Sequence, residues 1–222
     1  MIQVRDLDFA RADGGFRLTV PALDVAPGEK VAIVGPSGTG KTTLLNLLSG
    51  ILVPDAGQVQ VDGVRIDSLG DAARRAFRIS TIGFVFQSFD LVDYLSAGDN
   101  ILYPYRITDR LTLDAASRAR ARDLAASVGL ADKLMRKPAA LSQGEQQRIA
   151  ICRALIVQPR VLLADEATGN LDPENKTLIL DLLFDQAQRH GATLVAVTHD
   201  HDLLRRFDRV IDFADFRGGP DD

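Results

Sequence analysis

The sequence predicts an α/β fold: a mainly parallel sheet, an antiparallel β part at the N-terminal end and an inserted helical subdomain. Three observations predict it. Continuous apolar runs such as Val31–Val34 and Val161–Ala164 are what parallel strands buried on both faces require. Those runs alternate along the chain with stretches of helical spacing. Residues from about 88 to 158 carry helical patterns alone.

The elements follow in order. Ile2–Asp8 alternates apolar and polar residues, as a half-buried strand does; Arg11–Gly15 reads as a turn and Phe16–Val20 as a second short strand. Val31–Val34 is a buried strand, followed by glycines and then by Lys41–Ser49 with helical spacing. Gln58–Val61 and Ile82–Phe86 read as further strands. Leu113–Val128, rich in Ala, Arg and Leu, reads as an amphipathic helix. Gly144–Ile156 is another, with Pro159 marking its end. Val161–Ala164 returns to strand, and Pro173–His190 is a helix with proline in its first turn. Thr193–Val197 is a strand, Asp202–Phe207 a short helix and Arg209–Phe213 a last strand. No repeat or linker interrupts the series.

Composition narrows the function. The 222 residues, 46% hydrophobic and 25% charged, suffice for a full core and correspond to about 1.5 average domains. A net charge of -4 argues against a dedicated nucleic-acid binder, which shows a basic excess. One cysteine excludes an internal disulfide framework and a cysteine zinc cage, and fits a reducing compartment. The longest apolar stretch, Leu44–Val53, is broken by Asn46, Ser49 and Gly50, far short of the roughly 20 residues of a spanning helix. The opening MIQVRDLDFA alternates and carries charge, unlike a signal peptide. The chain is expected to be soluble, and any membrane role to come through a partner.

The strongest chemical signal is Gly35, Pro36, Ser37, Gly38, Thr39, Gly40, Lys41 and Thr42, which matches G-x-x-x-x-G-K-[ST] between an apolar strand and a helix. Glycines let backbone N–H groups wrap phosphate oxygens, and the helix N-terminus that begins through Thr43 adds a positive dipole end. Lys41 would place its ammonium near the β- and γ-phosphates, and the Thr42 hydroxyl would ligate Mg²⁺. This marks the core as that of a P-loop NTPase. The second signal is the apolar strand ending in Asp165 and Glu166, which sets two carboxylates at the carboxyl edge of the sheet. Asp165 suits Mg²⁺ coordination, direct or through water, and Glu166 would orient or deprotonate an attacking water.

The third signal is Leu141-Ser-Gln-Gly-Glu-Gln-Gln-Arg148 directly before a helix. Ser142 with Glu145 three residues later forms a capping box, and a helix start with free N–H groups beside the small Gly144 is also an anion site. This segment resembles the signature motif, usually LSGGQ, of ABC-type ATPases. The rest of the chain supplies the other family motifs in order, over essentially all 222 residues: Gln87 resembles the Q-loop residue, Gly169–Asp172 the D-loop and His199 the switch histidine. The resemblance implies one ABC ATPase domain over 1–222, with a nucleotide-binding core at about 1–87 and 159–222 and the signature-bearing helical subdomain at about 88–158. It implies that Gln87 contacts Mg²⁺ or the attacking water and senses the transporter interface, and that His199 meets the γ-phosphate. It further implies a head-to-tail dimer in which Ser142, Gly144, Glu145 and Asp172 act on nucleotide bound to the other copy. The implied partner is an integral membrane permease, with no nucleic acid, and the implied location is the cytoplasmic face of the inner membrane.

The segments IGFVFQSFDLVDYLSAGDNI and DEATGNLD resemble the subgroup serving lipoprotein-release, macrolide-export and cell-division type complexes. Four positions depart from the family pattern: Gln143 for a glycine, Glu145 for a glutamine, Ala167 for a proline, and Arg11 where a tyrosine usually stacks on adenine. Arg11 is expected to offer a planar but weak platform for the base, with Phe16 the next candidate. A GTPase would need N-K-x-D, and Asn175-Lys-Thr-Leu178 fails at its last position. A non-transport ABC ATPase, acting on nucleic acid or the cell-division machinery, is the alternative; its nucleic-acid forms carry coiled coils or zinc modules that are absent here. Cys152 reads as a core residue, Arg118, Arg120 and Arg122 as a solvated face, and His190 and His201 as surface residues.

Overall fold

The computed structural model describes residues 1–11, 15–167, 173–199 and 201–216. The chain opens with a long hairpin, β1 (Ile2–Ala10) against β2 (Arg17–Val25). The alternation of β1 changes parity midway: Ile2 and Val4 are buried, and so are Leu7 and Phe9. The cause is an irregularity between Arg5 and Asp8, where Asp6 takes φ 46 and turns the following residues onto the other face. β2 runs beyond the expected Val20, through Pro21; as an edge strand it tolerates a residue that cannot donate.

β3 (Lys30–Val34) leads through the glycine loop into α1 (Lys41–Leu48). β4 (Ala56–Val61) and β5 (Val64–Arg65) complete a four-stranded antiparallel sheet, ordered β2-β1-β4-β5. α2 (Asp71–Thr81), which the sequence pattern did not predict, precedes β6 (Ile82–Val85). The apolar residues of α2 gather on one face, with Phe77 packed against the core, but none is fully buried and no side chain caps it, so no cap signal marks its start. α3 (Ala97–Ile101), also unpredicted and one turn long, is followed by α4 (Ala115–Ser127) and α5 (Gln143–Leu155), all within the helical stretch. β7 (Val161–Asp165), α6 (Pro173–His190), β8 (Thr193–Val197), α7 (His201–Leu204) and β9 (Arg209–Asp212) close the chain. α7 is shorter than expected, and Phe213 leaves the last strand for a 3₁₀ turn.

The second sheet is parallel, in the order β6-β7-β8-β3-β9. It separates two cores. Val31, Ile33, Val161, Leu163, Val195 and Val197 pack toward α1 and the antiparallel sheet. Ala32, Leu162, Ala164, Leu194 and Ala196 pack toward α5, α6 and the helical stretch. Small residues on this second face let the helices approach closely. Cys152 is fully buried in that core, as expected, and burial pushes its thiol up to about 12. Arg118 and Arg122 are exposed, but Arg120 is not a solvated residue: its guanidinium donates to the Tyr105 hydroxyl and to Ile156 O, satisfying a carbonyl at the end of α5.

Candidate active site

The sheet order decides the geometry. β6, β7, β8 and β3 are neighbours, so the segments leaving their carboxyl ends lie side by side. Those segments carry Gln87, Asp165 with Glu166, His199, and the glycine loop. Residues far apart in sequence meet there.

The loop from Gly35 to Gly40 delivers the start of α1. Gly40 takes φ 111, a backbone conformation that demands glycine, and a Cβ on it would lie 2.6 Å from the tip of the Phe16 ring. No side chain caps α1, which leaves its first N–H groups to an anion. Lys41 is 7% exposed, and its ammonium donates to Gly35 O at 2.8 Å and Pro36 O at 2.6 Å, folding over the loop it serves. Thr39 braces the loop by donating to Pro36 O at 3.0 Å.

Asp165 ends β7 with 3% of its surface exposed and accepts from the Thr42 hydroxyl. Burial pushes its carboxyl above the ordinary range; the Thr42 hydroxyl pulls the other way, and the Glu166 charge adds to the upward push. Glu166 takes φ 47, a strained conformation for a side-chain-bearing residue, and its N–H donates to Val197 O at 3.1 Å. That turn aims the carboxylate at the motif residues beside it. Glu166 Oε2 accepts from Gln87 Nε2 at 3.2 Å, while His199 Nδ1 lies 3.6 Å from Oε1. The second distance is too long for a hydrogen bond, so Oε1 keeps a lone pair for another donor.

Arg11, Phe16, Ser37, Gly38, Gly40, Lys41, Thr42, Thr43, Gln87 and Glu166 line one cleft. Thr42, Gln87 and Asp165 also line an adjoining pocket. Oxygen donors from a hydroxyl, an amide and a carboxylate converge there, the hard set that Mg²⁺ takes. Arg11 does not stand alone on the wall: its guanidinium lies 5.5 Å from the centroid of the Phe16 ring. Sequence reading ranked Phe16 second because the contact between its ring and Gly40 spans 24 positions and has no local signal.

Ser142, Gly144 and Glu145 line neither the cleft nor its adjoining pocket. They start α5, where the expected capping box is present: Ser142 Oγ accepts from Glu145 N at 3.3 Å and Glu145 Oε2 accepts from Ser142 N at 2.8 Å. Lys133 pairs with Glu145 Oε1, and with the Ser142 N–H it holds this carboxyl below its ordinary range. Sequence reading had no signal for Lys133, nor for Gln147, which is 2% exposed and donates to Ala167 O. Asp172 lies outside the described residues.

A family described as ABC transporter matches residues 18–169. The lipoprotein-releasing system ATP-binding protein LolD of Maricaulis maris is 45% identical over 194 residues, covering 87% of this chain and 84% of that protein. LolD of Geobacter metallireducens is 42% identical over 220 residues, 98% of this chain and 97% of that protein. Among solved structures, the dimeric cassette MJ0796 in a post-hydrolysis state bound to ADP and Pi superposes with a TM-score of 0.88 at 34% identity, covering 96% of this chain and 94% of that one. Among the described residues, no helix is long and apolar enough to cross a membrane.

Proposed function

The chain belongs to the ABC transporter family as an ATP-binding, ATP-hydrolysing subunit, and from that premise we propose that it powers a lipoprotein-releasing membrane permease by closing head-to-tail on a second copy around ATP. The observation that carries this reading is the convergence of Lys41, Gln87, Asp165, Glu166 and His199 at the carboxyl ends of neighbouring strands. The relatives' names favour transport over the non-transport alternative.

The N–H groups of the glycine loop and the Lys41 ammonium receive the β- and γ-phosphates. Thr42, Asp165 and Gln87 are the residues that would hold Mg²⁺, which when bound neutralises charge on the phosphate oxygens. Glu166 Oε1 takes a proton from the attacking water. Gln87 fixes the other carboxylate oxygen, and the strained turn at Glu166 fixes the direction from which the proton is accepted. His199, on the far side of that carboxylate, faces the γ-phosphate. Arg11 and Phe16 together form the wall against which the base stacks. Ser142 and the N–H groups at Gly144 close over the γ-phosphate of the partner's nucleotide. Glu145, already engaged by Lys133 and the Ser142 N–H, orders that helix start rather than touching phosphate.

Ile79, Ile82, Phe84, Tyr103, Pro104 and Val157 line an apolar groove beside Asp90, close in sequence to Gln87. The permease docks there in this reading, which places the subunit on the cytoplasmic face of the inner membrane. Glu166→Gln tests the assignment: ATP binding is retained while hydrolysis falls at least ~100-fold, because an amide cannot accept the proton. Lys41→Ala loses tight nucleotide binding or turnover, a charge-assisted contact of about 1.5–3 kcal/mol. Unchanged hydrolysis in either variant moves the role to another residue.

A further inference from the structure

Two consecutive non-glycine residues downstream of Gln87 are held in the left-handed region, Phe89 at φ 62 and Asp90 at φ 48. Such a pair persists only where surrounding contacts over-determine it. Within the loop, the Ser88 hydroxyl donates to Asp90 Oδ1 at 2.7 Å and Asp90 N donates to Ser88 O at 2.7 Å; the contact from outside the loop is Arg153 of α5. One guanidinium nitrogen donates to Phe89 O at 2.6 Å and another to Asp90 O at 2.5 Å. The fork geometry of the guanidinium spans both carbonyls, which a lysine ammonium does not do. Arg153 is half-buried, and burial draws its pKa below the ordinary value.

The same 13-residue helix makes two other connections. Gln147 donates to the carbonyl of Ala167, the residue after Glu166. Ser142 caps its N-terminus. One rigid element therefore grips the backbone beside both members of the Gln87–Glu166 pair, and its exposed end carries the residue that reads the partner's nucleotide. We infer that Arg153 is a positioning residue: it holds the loop after Gln87 in the conformation in which Gln87 reaches Glu166, so that α5 links Ser142 at one composite site to hydrolysis at the other. This inference rests on the roles given to Gln87, Glu166 and Ser142 above.

The test uses Arg153→Lys in the full chain, with kcat, KM for ATP and Tm read together. The charge is kept and the two-carbonyl grip is lost. The expected result is a kcat about tenfold lower with KM within about twofold, the pattern of a lost transition-state arrangement. Adding Asp90→Gly should return kcat to within about threefold of the parent, because glycine adopts the positive φ without a clamp. A plain packing role for Arg153 would not respond to glycine in the loop. A wild-type kcat in Arg153→Lys, or a loss that Asp90→Gly leaves uncorrected, overturns the inference. Gln87→Ala is assayed alongside. If it turns over at the wild-type rate, the reading of Gln87 itself fails. If it is slow while Arg153→Lys is not, only the role of Arg153 fails.

Discussion

Asp165 is 3% exposed, and burial raises its carboxyl above the ordinary 3.8. Burial disfavours the ionised form in the folded chain relative to the unfolded one, so the desolvation cost falls on folding. A raised folded-state pKa means that the folded state binds its proton more tightly. The penalty is therefore present at neutral pH and fades as pH falls through the raised value. Asp165→Asn keeps an acceptor for the Thr42 hydroxyl and should raise Tm of the nucleotide-free protein by about 2–4 °C, the shift that ~1 kcal/mol produces in a domain of this size. The gain should shrink in acid while hydrolysis at pH 7 is lost; a lower Tm at pH 7 would contradict the account. On the wall proposed to face the base, Phe16→Ala should raise KM for ATP about tenfold, against a few-fold for Arg11→Ala, with ATP and GTP affected alike. Steady-state kinetics with both nucleotides checks this, and a strong ATP preference would assign the base to another residue. Lys41 and Glu166 were legible from local sequence because each sits in a short motif. Phe16 was legible only as a second candidate and Arg153 not at all, since their partners are distant in the chain.

At the scale of elements, α5 shows what local rules read and what they miss. Its capping box is written in Ser142 and Glu145 and forms as expected. Its docking depends on Gly83 in β6: a Cβ there would lie 2.4 Å from Ala154 O and 2.9 Å from a Leu162 methyl. Backbone cannot yield as a side-chain tip can, so Gly83→Ala should cost about 1–3 kcal/mol through overpacking, lowering Tm by roughly 2–12 °C. A thermal melt within 1–2 °C of the parent would mean that α5 can shift away freely. The same helix lies against β6 in the structure, though sequence position alone assigns it to the helical stretch. α2 escaped sequence reading because no capping side chain marks its start, although its apolar residues share one face, and the parity change in β1 because a bulge leaves no residue signature beyond Asp6.

For the whole molecule, the class of fold was legible in the alternation of apolar runs and helical spacing, but the strand order was not. Nothing local says that β8 lies between β7 and β3, and that order is what gathers Gln87, Glu166, His199 and the phosphate loop. Ser142, by contrast, lies outside this cleft, and the role proposed for it requires a second copy. The most direct test of that arrangement is the molar mass of Glu166→Gln in Mg-ATP, measured by light scattering with and without Ser142→Arg. The account predicts a dimer for Glu166→Gln and a monomer that still binds ATP once Ser142→Arg is added. A dimer that survives Ser142→Arg, or a chain that stays monomeric in both, would contradict it.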